Sequence, residues 1–328
     1  MLEKRDSLRI RFMGRVFVMG AAIPNGGTFM AYQLGLILQR HFGYESYALR
    51  VDKESWDHDK HTYDELFPFI SVQEMESTIC NEDILIANPS FSHNMFGLRL
   101  PGKKICYVQG FTTFSLLDLS FDHYIACSTH VQNFLAAAYC VPATIIRPFI
   151  EKVEDTPRRA WIDRPERSIC TYLKGDRKIG QLFFERFKKL AVDHLDFVHV
   201  IDEMSHARAS LLEKIASCRF FLSLSPAEGF GLVPLEAMAL GTIPAGFDGF
   251  GGRDYFRSME NSAVVSYPYI DLAATNLLNL MTNPLLCQTV SEDAVLTASA
   301  YRYERFRDDW IYYFSNQVHL RQTSCVTD

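Results

Sequence analysis

Glu228 and Glu236 stand eight positions apart in the run Ser225-Pro226-Ala227-Glu228-Gly229-Phe230-Gly231-Leu232-Val233-Pro234-Leu235-Glu236-Ala237-Met238-Ala239-Leu240-Gly241. The run reads as a glycine-bearing turn that leads out of the apolar strand Arg219 to Leu224 and into a helix. The helix starts near Leu232, tolerates Pro234 in its first turn and stops at Gly241. Unpaired N–H groups at such a helix start favour an anion. Gly229 and Gly231 lack a Cβ, so a ligand can come close to the backbone there. The two carboxylates would repel a bare phosphate. They suit hydroxyls, because an ionised carboxylate only accepts hydrogen bonds and can take two O–H donors. Backbone donors for a diphosphate beside acceptors for sugar hydroxyls match a nucleotide sugar.

Residues 228 to 244 resemble the E-x7-E motif of retaining glycosyltransferases with the GT-B fold, glycosyltransferase family four in particular. The resemblance implies an α/β protein in which two Rossmann-like, doubly wound parallel-sheet domains face each other across a cleft. It implies acceptor binding by residues 1–155, nucleotide-sugar binding by residues 156–300, and a last helix, 301–328, that crosses back to the first domain. Glu228 would accept hydrogen bonds from donor-sugar hydroxyls and Glu236 from the ribose. The amides of Gly229, Phe230, Gly231 and Leu232 would face the sugar and the distal phosphate. The implied reaction is metal-independent transfer of a sugar to a hydroxyl, with retention of anomeric configuration. No carboxylate pair can be assigned the nucleophile and acid roles of a retaining glycosidase. A front-face mechanism follows, in which the leaving phosphate helps to deprotonate the acceptor. A GT-B nucleotide-sugar epimerase and a non-catalytic glycosyltransferase-like subunit are the alternatives.

Other residues take roles from the same resemblance. Lys174, Arg177 and Lys178 follow the first strand of the second unit, where relatives place the cations that neutralise the diphosphate. Such fixed charges stabilise a leaving group that becomes more negative in the transition state. Their spacing departs from the family's, so the choice between Lys174 and Arg177 or Lys178 stays open. Gly26 and Gly27 follow the first strand and match a glycine pair near the donor diphosphate. Gln109 takes the place of a histidine found in many relatives; it can hydrogen-bond a sugar but cannot shuttle a proton. His93 lies in a nearby loop, and a lone histidine is more often structural. The triplet Asp57-His58-Asp59 has the form of a metal-binding D-x-D but sits in a charged stretch and reads as surface. Asp248-Gly249-Phe250-Gly251-Gly252-Arg253-Asp254-Tyr255-Phe256 follows the strand after the motif, and its glycines can let a loop approach a donor or close over a cleft.

The elements that must position these groups alternate strand and helix. Strands are expected at residues 15–19, 45–51, 83–87, 104–108, 123–127 and 143–150, and then at 168–173, 197–201, 219–224 and 242–246. Short, continuous apolar runs mark strands buried on both faces of a parallel sheet. Helices are expected at 28–42, 131–139, 179–191, 205–217 and, as one aromatic tail helix, 291–317. A charged stretch with two prolines, 151–167, reads as the linker.

The chain has 328 residues, enough for about two domains, and a formal net charge of −6, which argues against nucleic acid as a partner. Its eight cysteines include no C-x-x-C pair and read as buried free thiols. There is no apolar run long enough to span a membrane and no signal-peptide pattern, so a cytoplasmic protein is expected. The family resemblance implies that it works without cofactor or metal. Its partners would be a nucleotide sugar and a glycan, lipid-linked or small-molecule acceptor. Peripheral membrane attachment and homo-oligomer formation stay open. The donor's base and sugar are not legible.

Overall fold

The computed structural model describes residues 13–19, 25–50, 67–150, 153, 156, 159–172, 177–191, 198–202 and 208–321. Lys174 and the Asp57-His58-Asp59 triplet lie outside the described residues. Two parallel sheets form. The first has seven strands: β1 (Arg15–Met19), β2 (Glu45–Arg50), β3 (Phe69–Ser71), β4 (Ile84–Ala87), β5 (Lys103–Val108), β6 (His123–Ala126) and β7 (Thr144–Ile145), in the order β3-β2-β1-β4-β5-β6-β7. The second holds β8 (Ser168–Tyr172), β9 (Val198–Asp202), β10 (Phe220–Ser223), β11 (Ile243–Phe247) and β12 (Ala263–Val265), in the order β12-β11-β10-β8-β9. In each sheet the order reverses once, between β1 and β4 and between β8 and β10. Doubly wound sheets bind ligands beyond the carboxyl ends of the strands at such points.

Helices α1 (Gly26–Phe42), α2 (Val72–Thr78), α3 (Phe96–Arg99) and α4 (Thr129–Tyr139) belong to the first sheet. In the second unit come α5 (Arg177–Leu190), α6 (Arg208–Ser217), α7 (Leu232–Ala239), α8 (Ile270–Met281) and α9 (Pro284–Ala298). The last helix, α10 (Tyr303–Asn316), returns to the first sheet. Its Trp310 is fully buried edge-on to Tyr107 of β5, at 5.5 Å between ring centroids. Phe314 meets Phe42 of α1 at 5.6 Å, and the Tyr313 hydroxyl lies 3.0 Å from Nδ1 of His123.

Several expected elements differ. The tail is two helices, broken at residues 299–302, because the chain turns there to cross between domains; the Tyr301 carbonyl accepts from the Ile150 amide at 3.0 Å. Residues 143–150 contribute only the two-residue β7, since Pro148 has no N–H for a ladder. Gly26 and Gly27 are the first turn of α1 and not a loop, because Asn25 caps the helix by accepting from the Thr28 amide at 2.9 Å. Cys80 and Cys140 are exposed, which corrects the expectation of buried thiols; Cys106, Cys127, Cys170, Cys218 and Cys287 are buried.

Candidate functional site

The motif turn runs from the end of β10 to α7, and its helix is buried from Pro234 to Ala239. Gly231 is the N-cap, at φ 87°, a left-handed conformation that favours glycine. The buried Tyr255 fixes this cap by donating its hydroxyl proton to the Gly231 carbonyl at 2.6 Å. Burial, reinforced by the charge of Glu228, pushes the Tyr255 pKa far up and keeps the phenol a neutral donor. The Phe230 ring points away from the turn and packs on Tyr255 and Tyr301, at 5.3 and 5.6 Å. Phe230 can therefore face a ligand only through its backbone.

The two carboxylates sit in different surroundings. Glu236 is 3% exposed, and Oε1 takes a 2.6 Å hydrogen bond from Nη2 of Arg208, the first residue of α6. Such a charge-assisted bond offsets the cost of burying the carboxylate. Glu228 is half-buried and is held by its backbone. Its amide donates to the Gly249 carbonyl at 2.7 Å, and its carbonyl accepts from the Gly251 amide at 3.2 Å.

The first domain closes on this turn. A Cβ on Gly229 would lie 2.0 Å from the Gln109 carbonyl oxygen, and one on Gly251 would lie 2.2 Å from the Gly229 carbonyl oxygen. The ends of β5, β10 and β11 thus stack backbone on backbone, in layers that only glycine permits. The Gln109 side chain reaches sideways and donates from Nε2 to the Gly27 carbonyl at 2.8 Å. A Cβ on Gly26 would meet Cδ1 of Leu232 at 2.5 Å. The start of α1, Gln109, Glu228 to Leu232 and the loop after β11 therefore meet in one place, at the carboxyl edges of both sheets.

Arg177 and Lys178 form the exposed first turn of α5, after β8 and thus beside the motif strand β10. His93 lies in the 3-10 segment Pro89–Asn94 after β4. Among the described residues no group of three or more His, Cys, Asp or Glu side chains could hold a metal ion. No described helix is long and apolar enough to cross a membrane.

Four groups here had no role assigned from the sequence: Arg208, His130, Tyr255, and the pair Arg147 and Asp254, although Asp254 and Tyr255 belong to the glycine-rich segment after β11. Arg147 Nε donates to Asp254 Oδ2 at 2.7 Å, and the same carboxylate accepts from the Thr129 amide at the start of α4 at 3.2 Å. A carboxylate of the second domain thereby caps a helix of the first. The glycine-rich loop was the only local signal, and it announced the loop but not its partners.

Two parallel-sheet domains that meet across their carboxyl edges constitute the GT-B fold. The comparisons agree. Residues 179–296 match the family described as Glycosyl transferases group 1. A protein named glycosyltransferase 41 in Sulfolobus islandicus filamentous virus (isolate Iceland/Hveragerdi) is 41% identical over 54 residues, which are 16% of either chain. Among solved structures, HepE of Anabaena in complex with UDP and glucose is similar with a TM-score of 0.71 and 13% identity, covering 92% of this chain and 99% of that one. TarM is similar with a TM-score of 0.59 and 16% identity, over 75% of this chain but only 57% of that one. At such identities the likeness is one of fold.

Proposed function

We propose that this chain is a glycosyltransferase that moves a sugar from a nucleotide-sugar donor to an acceptor hydroxyl, retains the anomeric configuration and needs no metal. The observation that carries the reading is the meeting of the Glu228 turn and the α7 N-terminus with Gly26, Gly27 and Gln109 of the other domain. Match of the second domain to Glycosyl transferases group 1 and likeness to a UDP- and glucose-bound structure support it.

In this reading Glu236, oriented by Arg208, binds the ribose hydroxyls. Glu228 accepts from hydroxyls of the donor sugar. The amides of Gly229, Phe230, Gly231 and Leu232, with the positive end of α7, face the sugar and the distal phosphate. Arg177 and Lys178, with Lys174, neutralise the diphosphate as the glycosidic bond breaks. The leaving phosphate takes the proton of the acceptor hydroxyl, which attacks from the same face. Gln109 positions a hydroxyl and holds Gly27. A glycan, glycolipid or small molecule would enter from the first domain.

The test is Glu228→Gln, assayed for nucleoside diphosphate release from a panel of nucleotide sugars that includes UDP-glucose. Turnover should fall by about a hundredfold while nucleotide binding persists. Full activity in this variant would sink the assignment.

A further inference from the structure

Phe250 has φ 67° and ψ −54°, and the Gly251 amide donates back to the Gly249 carbonyl at 2.9 Å. Phe250 is thus the central residue of a γ-turn with positive φ, a rare and strained conformation for a residue with a side chain. It is flanked by glycines on both sides, yet the strained position itself carries a phenylalanine. Strain of this kind persists only where the surroundings over-determine it.

The ring supplies that determination. On one face lies the Arg253 guanidinium, 4.6 Å from the ring centroid. His130, at the start of α4 in the other domain, also stacks on the Phe250 ring, at 4.8 Å and 27°. Phe111, which follows β5, meets Phe250 edge-on at 5.9 Å and His130 at 4.5 Å. The loop is further tied by the Phe250 amide to Asp248 Oδ1 at 2.9 Å. What this turn presents is Glu228: the Gly249 carbonyl and the Gly251 amide are the two groups that bond the Glu228 backbone, and Phe250 pairs with Glu228 as an isolated parallel bridge.

We propose that Phe250 and His130 form an aromatic clasp between the domains and act as positioning residues for Glu228, holding the strained turn that brackets its backbone while the two domains are in contact. The role rests on the glycosyl-transfer reading of Glu228. The clasp couples two events that a GT-B cleft must coordinate. When the domains part, His130 and Phe111 leave the ring, the γ-turn relaxes, and Glu228 loses its bracket. When they meet, the ring is seated and the carboxylate is placed. His130 acts through stacking, so an aromatic ring at position 130 is the requirement, with no proton transfer asked of it.

Two measurements on the full chain test this. Hydrogen exchange needs no substrate: in His130→Ala and Phe250→Gly, the amides of Glu228, Gly251 and Gly252 should exchange about tenfold faster, with β11 unchanged as the internal control. His130→Phe should restore protection. Steady-state turnover of UDP-glucose should show kcat lowered about tenfold in the first two variants, with UDP affinity within twofold, and His130→Phe within about threefold of wild type. Unchanged exchange in both disrupting variants would overturn the clasp. So would a His130→Phe variant as impaired as His130→Ala, which would move the role to the imidazole. Absence of turnover by the wild-type protein with every nucleotide sugar counts against the glycosyl-transfer reading, and the exchange result then decides the clasp by itself.

Discussion

Glu228 and Glu236 were legible in the sequence because everything that makes them a pair is local: a strand, a turn with two glycines and a helix within a score of residues. What holds them was not legible. Arg208 meets Glu236 from 28 positions upstream, and nothing in its own neighbourhood marks it as a partner. The expected consequence is specific. Arg208→Ala leaves a buried carboxylate without this cation and should raise donor KM about tenfold, with kcat within threefold, because the proposed partner of Glu236 is the ribose and not the reacting carbon. A fall in kcat at unchanged KM would place Arg208 elsewhere. Gly229 makes a sharper case. Its Cβ would fall 2.0 Å from a backbone oxygen of the other domain, so no rotamer change relieves the clash. Gly229→Ala should cut turnover by about a hundredfold through misplacement of the turn and should also lower the melting temperature, because backbone must move to make room. Activity near wild type in that variant would mean that the domains do not need to touch here.

Strands of four to six apolar residues announced themselves, and the parallel sheets followed from their alternation with helices. Elements of three residues did not: β3 and β12 are too short to carry a period and are completed by their neighbours. The tail misled for a different reason. Residues 291–317 contain no glycine or proline, so the break at 299–302 has no local signal and is imposed by the crossing between domains. The start of α4 shows the same dependence on distant residues. Ser128 caps it from within, and Asp254, from the other domain, accepts from its first amide and pairs with Arg147. Asp254→Ala should lower stability by roughly 1–3 kcal/mol, and Asp254→Asn by less because the amide oxygen still accepts. Denaturant melts of the two variants check this; equal stability of Asp254→Ala and wild type would show that the capping bond contributes nothing.

Two of the contacts made by the first domain across the junction involve an imidazole. Burial lowers the pKa of His123, beside the α10 hydroxyl of Tyr313, and that of His130 in the clasp. Lys103 adds to the shift at His123 and Arg253 to that at His130, against the opposing charges of Asp122 at the first and of Asp248 and Asp254 at the second. Each ring thus binds a proton less readily in the folded chain than in the unfolded one. As pH falls through the ordinary imidazole value of 6.5, the unfolded chain takes up protons that the folded chain refuses, and stability declines. The melting temperature should drop between pH 7.5 and 5.5, and drop less in the His123→Phe, His130→Phe double variant. A wild-type melting temperature that is flat over that range would contradict the burial of these rings. The two-domain parallel-sheet plan was readable from the alternation of strands and helices and one motif, whereas the contacts that join the domains pair residues more than a hundred positions apart and only the folded molecule brings them together. The central claim is that this junction binds a nucleotide sugar, and thermal denaturation in a panel of nucleotide sugars tests it most directly, since a ligand that binds only the native state raises the melting temperature. At least one should raise it for the wild-type chain and fail to do so for Glu236→Ala; no rise with any of them, or an equal rise in the variant, would contradict the account.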